Sequence, residues 1–378
     1  MLGTYLDWTV GTALPFWAEQ GYDARAARFH ERLDHAGRAI AVPHRAMVQA
    51  RQIFVFAEAA RFGWMRDSGA KAEAAMASLV RDFAEDAGDE TRIAFSIDPA
   101  NGAILSDVRD AYAHAFVLFS IAALYRLNGD TRLLVRADRI IRFVERRLAD
   151  PAHGGLFDAL PAPAEKRQNP HMHLLEAYLF LDEAAPGRGY LGRATALVDL
   201  FRRRFFRDGL LHEYFASDWS ASSRAEWEPG HHFEWVWLLD AYATRSGEDV
   251  GSWAGALYAS AKAHGFAPDG VILDALSPEH GVVRSSRRLW PHAEAIKAAA
   301  AHQREDPDAR AFAERMAAVL MEHFLGRPFP GGWIDHVGPD GAPLVDYVPA
   351  SSLYHLVLAA GVAAKDFAAV PPLAKAVS

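Results

Sequence analysis

Hydrophobic residues along the chain follow two alternating helical patterns, separated by short turn-rich segments. PHRAMVQARQIFVFAEAARFGW and DVRDAYAHAFVLFSIAALYRLNG are apolar on nearly every side. AKAEAAMASLVRDFAEDA and TRLLVRADRIIRFVERRLAD, which follow them, each have a charged face. A helix that is apolar all round is surrounded by protein, whereas an amphipathic helix meets water on one side. The pattern therefore predicts inner helices that alternate with outer helices.

The turn-rich segments recur about every 60 residues and have the pattern of short strands or hairpins. Each alternates apolar with acidic residues and is bounded by Gly, Pro, Asn or Asp, the residues that turns require. The segments are RFHERLDHAGRAI, RIAFSIDPANGAI, GGLFDALPAP, DGLLHEYFASDW, DGVILDALSPEHG and GGWIDHVGPDGAP. The chain is therefore predicted to repeat one unit of hairpin, inner helix and outer helix.

The first and last helices indicate how these repeats are arranged. A helix around residues 4 to 20 has no partner at its end of the chain, and SSLYHLVLAAGVAAK has none at the other end. Pairing the two closes a ring of twelve helices. The prediction is an all-α (α/α)6 barrel with short β-hairpins at one end, in a single domain over residues 1–378. An open α-solenoid is the alternative, but capping repeats are not evident.

Composition and charge narrow the classes of partner. Hydrophobic residues make up 51% of the chain and charged residues 23%, which is typical of a globular protein. The net charge of −8 gives no reason to expect nucleic acid or an anionic membrane as a partner. There is no cysteine, which excludes disulfides, thiolate metal sites and a cysteine nucleophile. We expect a small neutral or locally recognised ligand.

The N-terminal segment gives an expectation about location. It has no basic region, carries Asp7 early and breaks at Pro15, so it is a poor secretory signal. No apolar run approaches the roughly 18 to 20 residues of a membrane span. We expect a cytoplasmic protein.

Polar residues near the starts of the inner helices are expected to meet at one end of the barrel, because every inner helix begins from a hairpin on that side. Several buried polar groups at one level imply a polar cavity. Aromatic residues would give it flat walls suited to sugar rings, although core packing explains Trp235 equally well. The polar set is Arg51, Tyr112, His114, His171, His173, Glu176, His231, Glu234, His292, Glu294, Tyr354 and His355, and the aromatic set is Trp227, Trp235, Trp290, Trp333 and Tyr354.

Other chemistries are less well supported by the motifs. Clustered histidines can hold zinc, but HExxH is absent and HMH and HHFE lack a spaced partner, so no metal is predicted. GxSxG and GxxxxGK[ST] are also absent. Glycoside hydrolysis by paired carboxylates is a better rival, because many (α/α)6 barrels are glycosidases. The histidines, however, outnumber what that chemistry needs.

Six motifs in order resemble the N-acylglucosamine 2-epimerase superfamily of sugar epimerases and aldose–ketose isomerases, which are (α/α)6 barrels. The resemblance extends over nearly the whole chain. The motifs are ARQIFVFAEA, NPHMHLLEAYLFL, GHHFEWVWLL, RLWPHAEAIKA, GGWIDHVGPDG and LYHL.

The resemblance implies catalytic roles for three residues. His231 and Glu234 match the family's GHxxE, and His355 matches the histidine of its YH pair. In relatives the two histidines flank the open-chain sugar as acid and base. Glu234, one helical turn from His231, is expected to orient that ring, whereas His232 turns about 100° away and is expected to be a structural neighbour.

The resemblance also implies a binding set. Arg51 matches the arginine that binds the reacting oxygens, and Asn169 and His173 match the family's NxHxH stretch. One departure is VPASSLYH, since several disaccharide-active relatives carry a tryptophan before the YH pair, which argues against a long second-sugar site. The expected substrate-binding residues are Arg51, Tyr112, Asn169, His173, Trp290, Glu294 and Tyr354.

The implied function is aldose–ketose isomerisation of mannose or mannose-6-phosphate to fructose or fructose-6-phosphate, through a cis-enediol and histidine acid–base catalysis. A 2-epimerase acting on N-acylglucosamine or another aldose is the alternative, and a glycoside hydrolase or a non-catalytic binder is a further one. No cofactor or metal is expected, and a homodimer is left open. Ser286, Arg287 and Arg288 precede the fifth inner helix, where they would hold a phosphate or form a solvated basic turn.

Overall fold

The computed structural model of the protein describes residues 1–367. Residues 368–378, the last part of the predicted domain, lie outside the described residues. None of the described helices is both long and apolar enough to span a bilayer. The chain forms alternating helices joined by short strands, as the sequence pattern predicts.

Helices that are apolar on nearly every side form an inner ring. Almost every side chain of these helices is buried in the half that carries the sequence motifs. Each packs against the next around the ring, and the last packs against the first. They are α3 (Ala46–Arg61), α5 (Ala111–Asn128), α7 (Asn169–Ala184), α9 (Pro229–Ser246), α11 (Trp290–Ala301) and α13 (Leu353–Asp366).

Amphipathic helices form the outer layer, each packed on the inner helix that precedes it. Three of them end in a π-helical turn, over Val144–Leu148, Phe201–Phe205 and Leu320–Phe324. The outer helices are α4 (Ser68–Phe83), α6 (Thr131–Phe143), α8 (Tyr190–Leu200), α10 (Gly251–His264) and α12 (Ala309–Val319).

The N-terminal helix closes the outer layer. It consists of α1 (Leu2–Trp8), a π-helical turn (Thr9–Ala13) and α2 (Leu14–Glu19). α1 packs against α12 and α13, and the hydroxyl of Tyr5 donates to the carbonyl of Leu356 on α13 at 2.6 Å. The first and last helices therefore pair, and the predicted closure into a twelve-helix (α/α)6 barrel is confirmed.

Short strands lie between each outer helix and the next inner helix. They are β1 (Tyr22–Asp23), β2 (Arg28–Phe29), β3 (Arg32–Asp34), β4 (His44–Arg45), β5 (Ala84–Ala87), β6 (Glu90–Ile93), β7 (Ser96–Ile97), β8 (Ile104–Ser106), β9 (Arg109–Asp110), β10 (Ala159–Leu160), β11 (Glu165–Arg167), β12 (Phe206–Arg207), β13 (Leu210–Leu211), β14 (Tyr214–Ala216), β15 (Ala275–Leu276), β16 (Val282–Arg284), β17 (Arg287–Arg288), β18 (His336–Val337) and β19 (Tyr347–Pro349). A 3₁₀ turn, Ala350–Ser352, precedes α13.

Antiparallel pairing between these strands links each repeat to the next. β4 pairs with β7, β9 with β10, β11 with β14, and β17 with β18, while Trp227 bridges Leu276. β19 then pairs with β3, which joins the last repeat to the first. The barrel is thus closed twice, by helix packing and by strands at the end where the inner helices begin.

Candidate active site

A cavity of about 340 Å³ lies at the end of the barrel where the inner helices begin. The residues predicted for the site that line it are Arg51, Tyr112, Asn169, His173, His231, Glu234, Arg288, Trp290 and His355. The sequence reasoning did not single out the other lining residues, which are Arg167, Glu213, Tyr214, Glu228, Asp335, Ser351 and Ser352. Most of these come from the strands and turns between the helices.

The local sequence explains how the helices deliver their first turns to the cavity. α7, α9 and α11 each have a proline in the first turn, where the missing N–H has no helical partner to lose. Gly230 allows α9 to approach α11, because a Cβ at this position would lie 2.5 Å from the ring of Trp290. His231, the next residue, is therefore held against Trp290, with ring centroids 5.1 Å apart.

His231 lies between an amide and two carboxylates. Its Nδ1–H donates to Glu213 at 3.0 Å, and Glu228 lies 3.6 Å from the same nitrogen. Its Nε2 faces the side-chain amide of Asn169 at 2.9 Å. Burial alone would lower the pKa of this ring, but the charges of Glu213 and Glu228 outweigh burial and raise the pKa to about 9. His231 is therefore an imidazolium at neutral pH, and the side-chain amide of Asn169 then presents its oxygen, and not its NH2, to the Nε2–H.

The expected pairing of Glu234 with His231 is wrong in its partner. The carboxylate that orients His231 is Glu213, on the segment between β13 and β14. The other side of Glu213 is fixed by Gln168, whose amide donates to it at 2.8 Å. Glu234 lines the cavity but turns toward Tyr354 and His173, which lie 3.4 Å and 3.9 Å from its carboxylate. Although Glu234 lies one helical turn from His231, the segment between β13 and β14 already places Glu213 against the His231 ring.

His355 has a different environment on the same cavity. Its Nδ1–H donates to Glu294 at 2.6 Å, and its ring centroid lies 5.5 Å from that of Trp290. Burial lowers the pKa of His355 to about 4, although the contact with Glu294 opposes the shift. His355 is therefore neutral at neutral pH. Because Nδ1 is taken, Nε2 is the nitrogen that a ligand can reach.

Two residues predicted to bind substrate lie behind the wall instead. Glu294 is fully buried and its carboxylate is shared by His355 and Lys297. Tyr354 is also fully buried, and its hydroxyl donates to Glu176 at 3.0 Å. Neither lines the cavity, and direct contact of either residue with a substrate stays a prediction. Each instead holds a residue that does line it.

Arg51 supplies fixed positive charge to the cavity. Its guanidinium donates to the carbonyl of Ser351 at 3.2 Å and to the hydroxyl of Tyr112. The guanidinium carbon also lies 4.2 Å from the centre of the Phe116 ring, which favours a cation over its face. His173 lies nearby, with Nδ1–H donating to Glu176 at 3.0 Å. Burial, and next the charge of Arg51, lower the pKa of His173 well below its usual value, so it is neutral.

Two groups beneath the cavity have the composition of a metal site. Among the described residues, donor atoms of His173, Glu176 and Glu234, and of Glu234, Glu294 and His355, come within 4.8 Å of one another. Their side chains already bind each other, and the ammonium of Lys297 lies 2.7 Å from Glu294. Because Lys297 supplies positive charge here, we interpret both groups as one hydrogen-bonded network. The absence of a metal requirement stays a prediction.

The predicted phosphate cluster is divided by the fold. Ser286 donates to Asp274 at 2.5 Å and Arg287 to Asp269 at 2.6 Å, and neither lines the cavity. Arg288 does line it, with its guanidinium 3.8 Å from Asp274. Residues adjacent in a strand point to opposite faces, so Arg287 and Arg288 cannot act together. The structure therefore does not bring the three residues together at one site.

Three of the histidines gathered by the repeat lie outside the cavity. The Nε2 atoms of His114, His171 and His292 accept backbone N–H groups of the preceding hairpin at 2.9 to 3.0 Å. Their Nδ1 atoms face carbonyls at the start of their own helix. Burial lowers the pKa of each to about 4. Trp227, Trp235 and Trp333 are likewise core residues, so of the predicted aromatic walls only Trp290 lines this cavity.

Comparison with known proteins gives a family match. The sequence model of the N-acylglucosamine 2-epimerase (GlcNAc 2-epimerase) family matches residues 28–359. The chain belongs to this family. The predicted family resemblance is confirmed, and this N-acylglucosamine 2-epimerase family member is an enzyme of the sugar isomerase and epimerase class.

Relatives of this family member carry related names. The mannose-6-phosphate isomerase of Rhizobium meliloti (strain 1021) is 30% identical over 372 residues, covering 94% of this chain and 95% of the relative. The D-mannose isomerase of Thermobifida fusca is 29% identical over 277 residues, covering 66% of this chain and 67% of the relative. The structure of cellobiose 2-epimerase from Spirochaeta thermophila DSM 6192 has a TM-score of 0.86 at 24% identity, covering 98% and 97% of the two chains. That likeness shows the shared fold.

Proposed function

We propose that this protein is an aldose–ketose isomerase that interconverts mannose and fructose through a cis-enediol, with His355 as general base and His231 as general acid. One observation carries the proposal. Two histidines on one cavity, both against Trp290, have pKa values shifted in opposite directions. Titratable groups whose environments push their pKa values apart are typical of acid–base pairs. At neutral pH His355 can accept a proton and His231 can donate one.

The first step is removal of the proton on C2 of the open-chain aldose by Nε2 of His355. Negative charge then develops on the carbonyl oxygen, and the barrier falls when donors already point there. Arg51 is the permanent cation of the cavity and is held in place by Ser351 and Tyr112. Arg51 and the His231 imidazolium together are suited to stabilise that oxygen.

The second step decides the product. His231 gives its proton to the O1 oxygen and takes one from the O2 hydroxyl, while His355 returns the C2 proton to C1. The atoms balance and the product is the ketose. A proton delivered to C2 from the opposite face would instead give the epimer. Because the cellobiose 2-epimerase of Bacteroides fragilis is 24% identical over 312 residues, 2-epimerisation is the second candidate.

The charges at the cavity favour an unphosphorylated monosaccharide. Arg167 lines the cavity but is paired with Asp158 at 2.5 Å, and Arg288 faces Asp274. Glu228 and Asp335 bring carboxylates to the same wall. Among the described residues Arg51 has no carboxylate partner, but it is the residue proposed to stabilise the reacting oxygens, so only Arg288 would be left to face a phosphate dianion beside these carboxylates. Like charges at close range are costly. Ser351 and Ser352 line the cavity before the YH pair, which is consistent with no aromatic platform for a second sugar.

Incubation with mannose in D2O tests the proposal. We expect fructose to appear, with deuterium from solvent at C1 or C2, followed by proton NMR. Glucose with deuterium at C2 and no fructose would favour 2-epimerisation. Parallel incubations with mannose 6-phosphate and N-acetylglucosamine define the substrate, and an inactive His355→Asn variant is the control. No deuterium entry and no new sugar from any of these would reject both candidates and favour a hydrolase or a binder.

A further inference from the structure

Lys297 places a positive charge inside the barrel, below the cavity. It lies on α11 one turn after Glu294, and its side chain is fully buried. Its Nζ lies 2.7 Å from one oxygen of Glu294 and 4.2 Å from the centre of the Trp237 ring. Burying an ammonium is costly unless a counter-charge accompanies it. A lysine at the protein surface needs no such counter-charge, so the burial of Lys297 requires an explanation.

The surroundings of Lys297 are acidic. Glu176 on α7, Glu234 on α9 and Glu294 on α11 are all buried, and all three act on the charge of Lys297. The other titratable groups around this cluster are Tyr5 on α1, Arg51 on α3, Tyr112 on α5, His173 on α7, His231 on α9, and Tyr354 and His355 on α13. Lys297 is thus a buried cation that is paired with Glu294 and lies near two further acidic residues.

One of the three carboxylates connects Lys297 to the cavity. Glu294 binds Lys297 through one oxygen and accepts the Nδ1–H of His355 through the other, at 2.6 Å. The Nδ1–H position leaves the lone pair of His355 on Nε2, which is the nitrogen facing the cavity. An imidazole acts as a base through the nitrogen that lacks the proton. The contacts from Lys297 through Glu294 therefore determine which nitrogen of His355 carries the proton.

We propose that Lys297 is a positioning residue that keeps Glu294 ionised and thereby holds His355 in the Nδ1–H tautomer, with its lone pair toward the cavity. Without Lys297, a buried carboxylate beside two others would take up a proton. Protonated Glu294 can donate to His355 Nδ1, which moves the ring proton to Nε2. The ring would then present an N–H, and no base, to the substrate.

The charge states agree with this arrangement. Burial would raise the pKa of Glu294, yet Lys297 and His355 together lower it. Burial raises the pKa of Glu176 to about 7 and that of Glu234 well above its usual value, although Lys297 opposes both shifts. Glu294 is therefore the carboxylate that Lys297 keeps charged. The pKa of Lys297 itself is raised, because Glu294, Glu176 and Glu234 outweigh the effect of burial.

The variant Lys297→Met tests the proposal through the pH profile, and this part of the test rests on the proposed isomerase function. We expect kcat/KM at pH 6 to fall by about a hundredfold, the lower range for a positioned base. The acid limb should also rise to about pH 8, because a hundredfold loss by protonation at pH 6 requires the controlling pKa to lie about two units above that pH. Lys166→Met is the matched control, because Lys166 is a buried lysine paired with Asp150 and does not line the cavity. A uniform loss with an unmoved acid limb would overturn the proposal.

A second readout needs no substrate and separates this proposal from the isomerase function. The tautomer of His355 can be read from the ¹⁵N NMR shifts of protein with ¹⁵N-labelled histidine, and the signals that disappear in His355→Asn give the assignment. We expect the Nδ1–H form in the wild type from pH 6 to 9. We expect the Nε2–H form in Lys297→Met at pH 6. If Lys297→Met fails to fold, the tautomer of His355 and the charge of Lys297 in the wild type still test the proposal. The Lys297 ammonium should remain charged over the same range by ¹³C-lysine NMR. A neutral Lys297 or an Nε2–H His355 in the wild type would overturn the proposal.

Discussion

His231 and His232 are adjacent on α9, yet they lie in opposite environments. His231 meets Glu213 and Asn169 at the cavity, and its pKa is raised to about 9 against the effect of burial. His232 accepts the N–H of Leu211 at 3.3 Å and faces the carbonyl of Glu228 at 3.2 Å, and burial lowers its pKa to about 3. A histidine is thus a cation at one position and a neutral, hydrogen-bonded structural residue at the next.

The difference shows that the partner of a histidine, and not its buried position, fixes its role. His232 belongs to a repeated set with His114, His171 and His292, each joining an inner helix to the preceding hairpin through backbone groups. In the first repeat Gln49 makes the equivalent contact to the hairpin, since its side-chain oxygen accepts the N–H of Phe29 at 2.9 Å. Its amide N–H donates to the carbonyl of Phe29 at 2.7 Å, whereas Nδ1 of each histidine faces a carbonyl near the start of its own helix. The cavity histidines instead have carboxylate partners, which allow their protonation to be tuned.

The largest expected effect is that of removing the base. We predict that His355→Asn lowers kcat by at least about a hundredfold, because a positioned base contributes at least that much. His292→Gln removes a buried histidine from the neighbouring helix and should leave kcat near the wild-type value. Initial rates of mannose turnover measure both. If the two variants lost activity equally, the distinction between cavity and structural histidines would fail.

The next effect concerns the acid. In the wild type, kcat/KM should rise with pH through about 4 as His355 loses its proton and fall through about 9 as His231 loses its proton. Glu213→Gln removes the nearest negative charge, so the pKa of His231 should fall. We predict that the alkaline limb moves down by about one pH unit, which is about tenfold in rate above the limb.

Glu226→Gln is the matched control for this shift. Glu226 pairs with Arg284 and Arg224 near the cavity but has no contact with His231. Its profile should keep the wild-type alkaline limb. An unmoved limb in Glu213→Gln, or an equal shift in Glu226→Gln, would mean that Glu213 does not set the charge of His231.

A smaller effect, on stability alone, is expected on the structural side of the comparison. His232→Leu leaves the buried N–H of Leu211 without its partner, whereas the carbonyl of Glu228 keeps the backbone N–H of residue 232. The lost partner costs about 1–3 kcal/mol in the free energy of unfolding. His232→Gln should recover much of this loss, because Gln49 fills the equivalent position in the first repeat. Urea unfolding and kcat per folded molecule are the measurements. An unchanged unfolding free energy in His232→Leu, or a large change in kcat, would contradict a purely structural role.

Much of the fold follows from the sequence because the repeat imposes it. Apolar periodicity separates inner from outer helices, and the unpaired helices at the two ends predict closure, which Tyr5 and Leu356 make visible. His173, His231, His355 and Arg51 also line the cavity, as the repeat predicts. These features depend on helix direction and burial, which a one-dimensional pattern contains.

The partners of the site residues could not be predicted in the same way. Glu213 was missed because strand segments have no helical period to locate them. A signal was nevertheless present, since the acidic residue recurs two positions after the hairpin residue that contacts the structural histidine or its equivalent. Glu31, Asp158, Glu213 and Asp274 follow Phe29, Leu156, Leu211 and Ile272 in this way. Glu294 and Tyr354 were expected to line the cavity but lie behind its wall. Spacing along the sequence does not reveal which buried polar groups bind one another.

The smallest effect separates two adjacent arginines and repeats the lesson of His231 and His232. Arg288 lines the cavity, whereas Arg287 is held outside it by Asp269. We predict that Arg288→Ala raises KM for mannose by about two- to tenfold, the range for one lost hydrogen bond. Arg287→Ala should leave it unchanged. Steady-state kinetics with mannose and with mannose 6-phosphate distinguish a hydroxyl contact from a phosphate site. If both arginines formed a phosphate site, both variants would raise KM for mannose 6-phosphate more than KM for mannose. Equal KM changes for the two sugars, in Arg288→Ala alone, are what a contact to a sugar hydroxyl would produce.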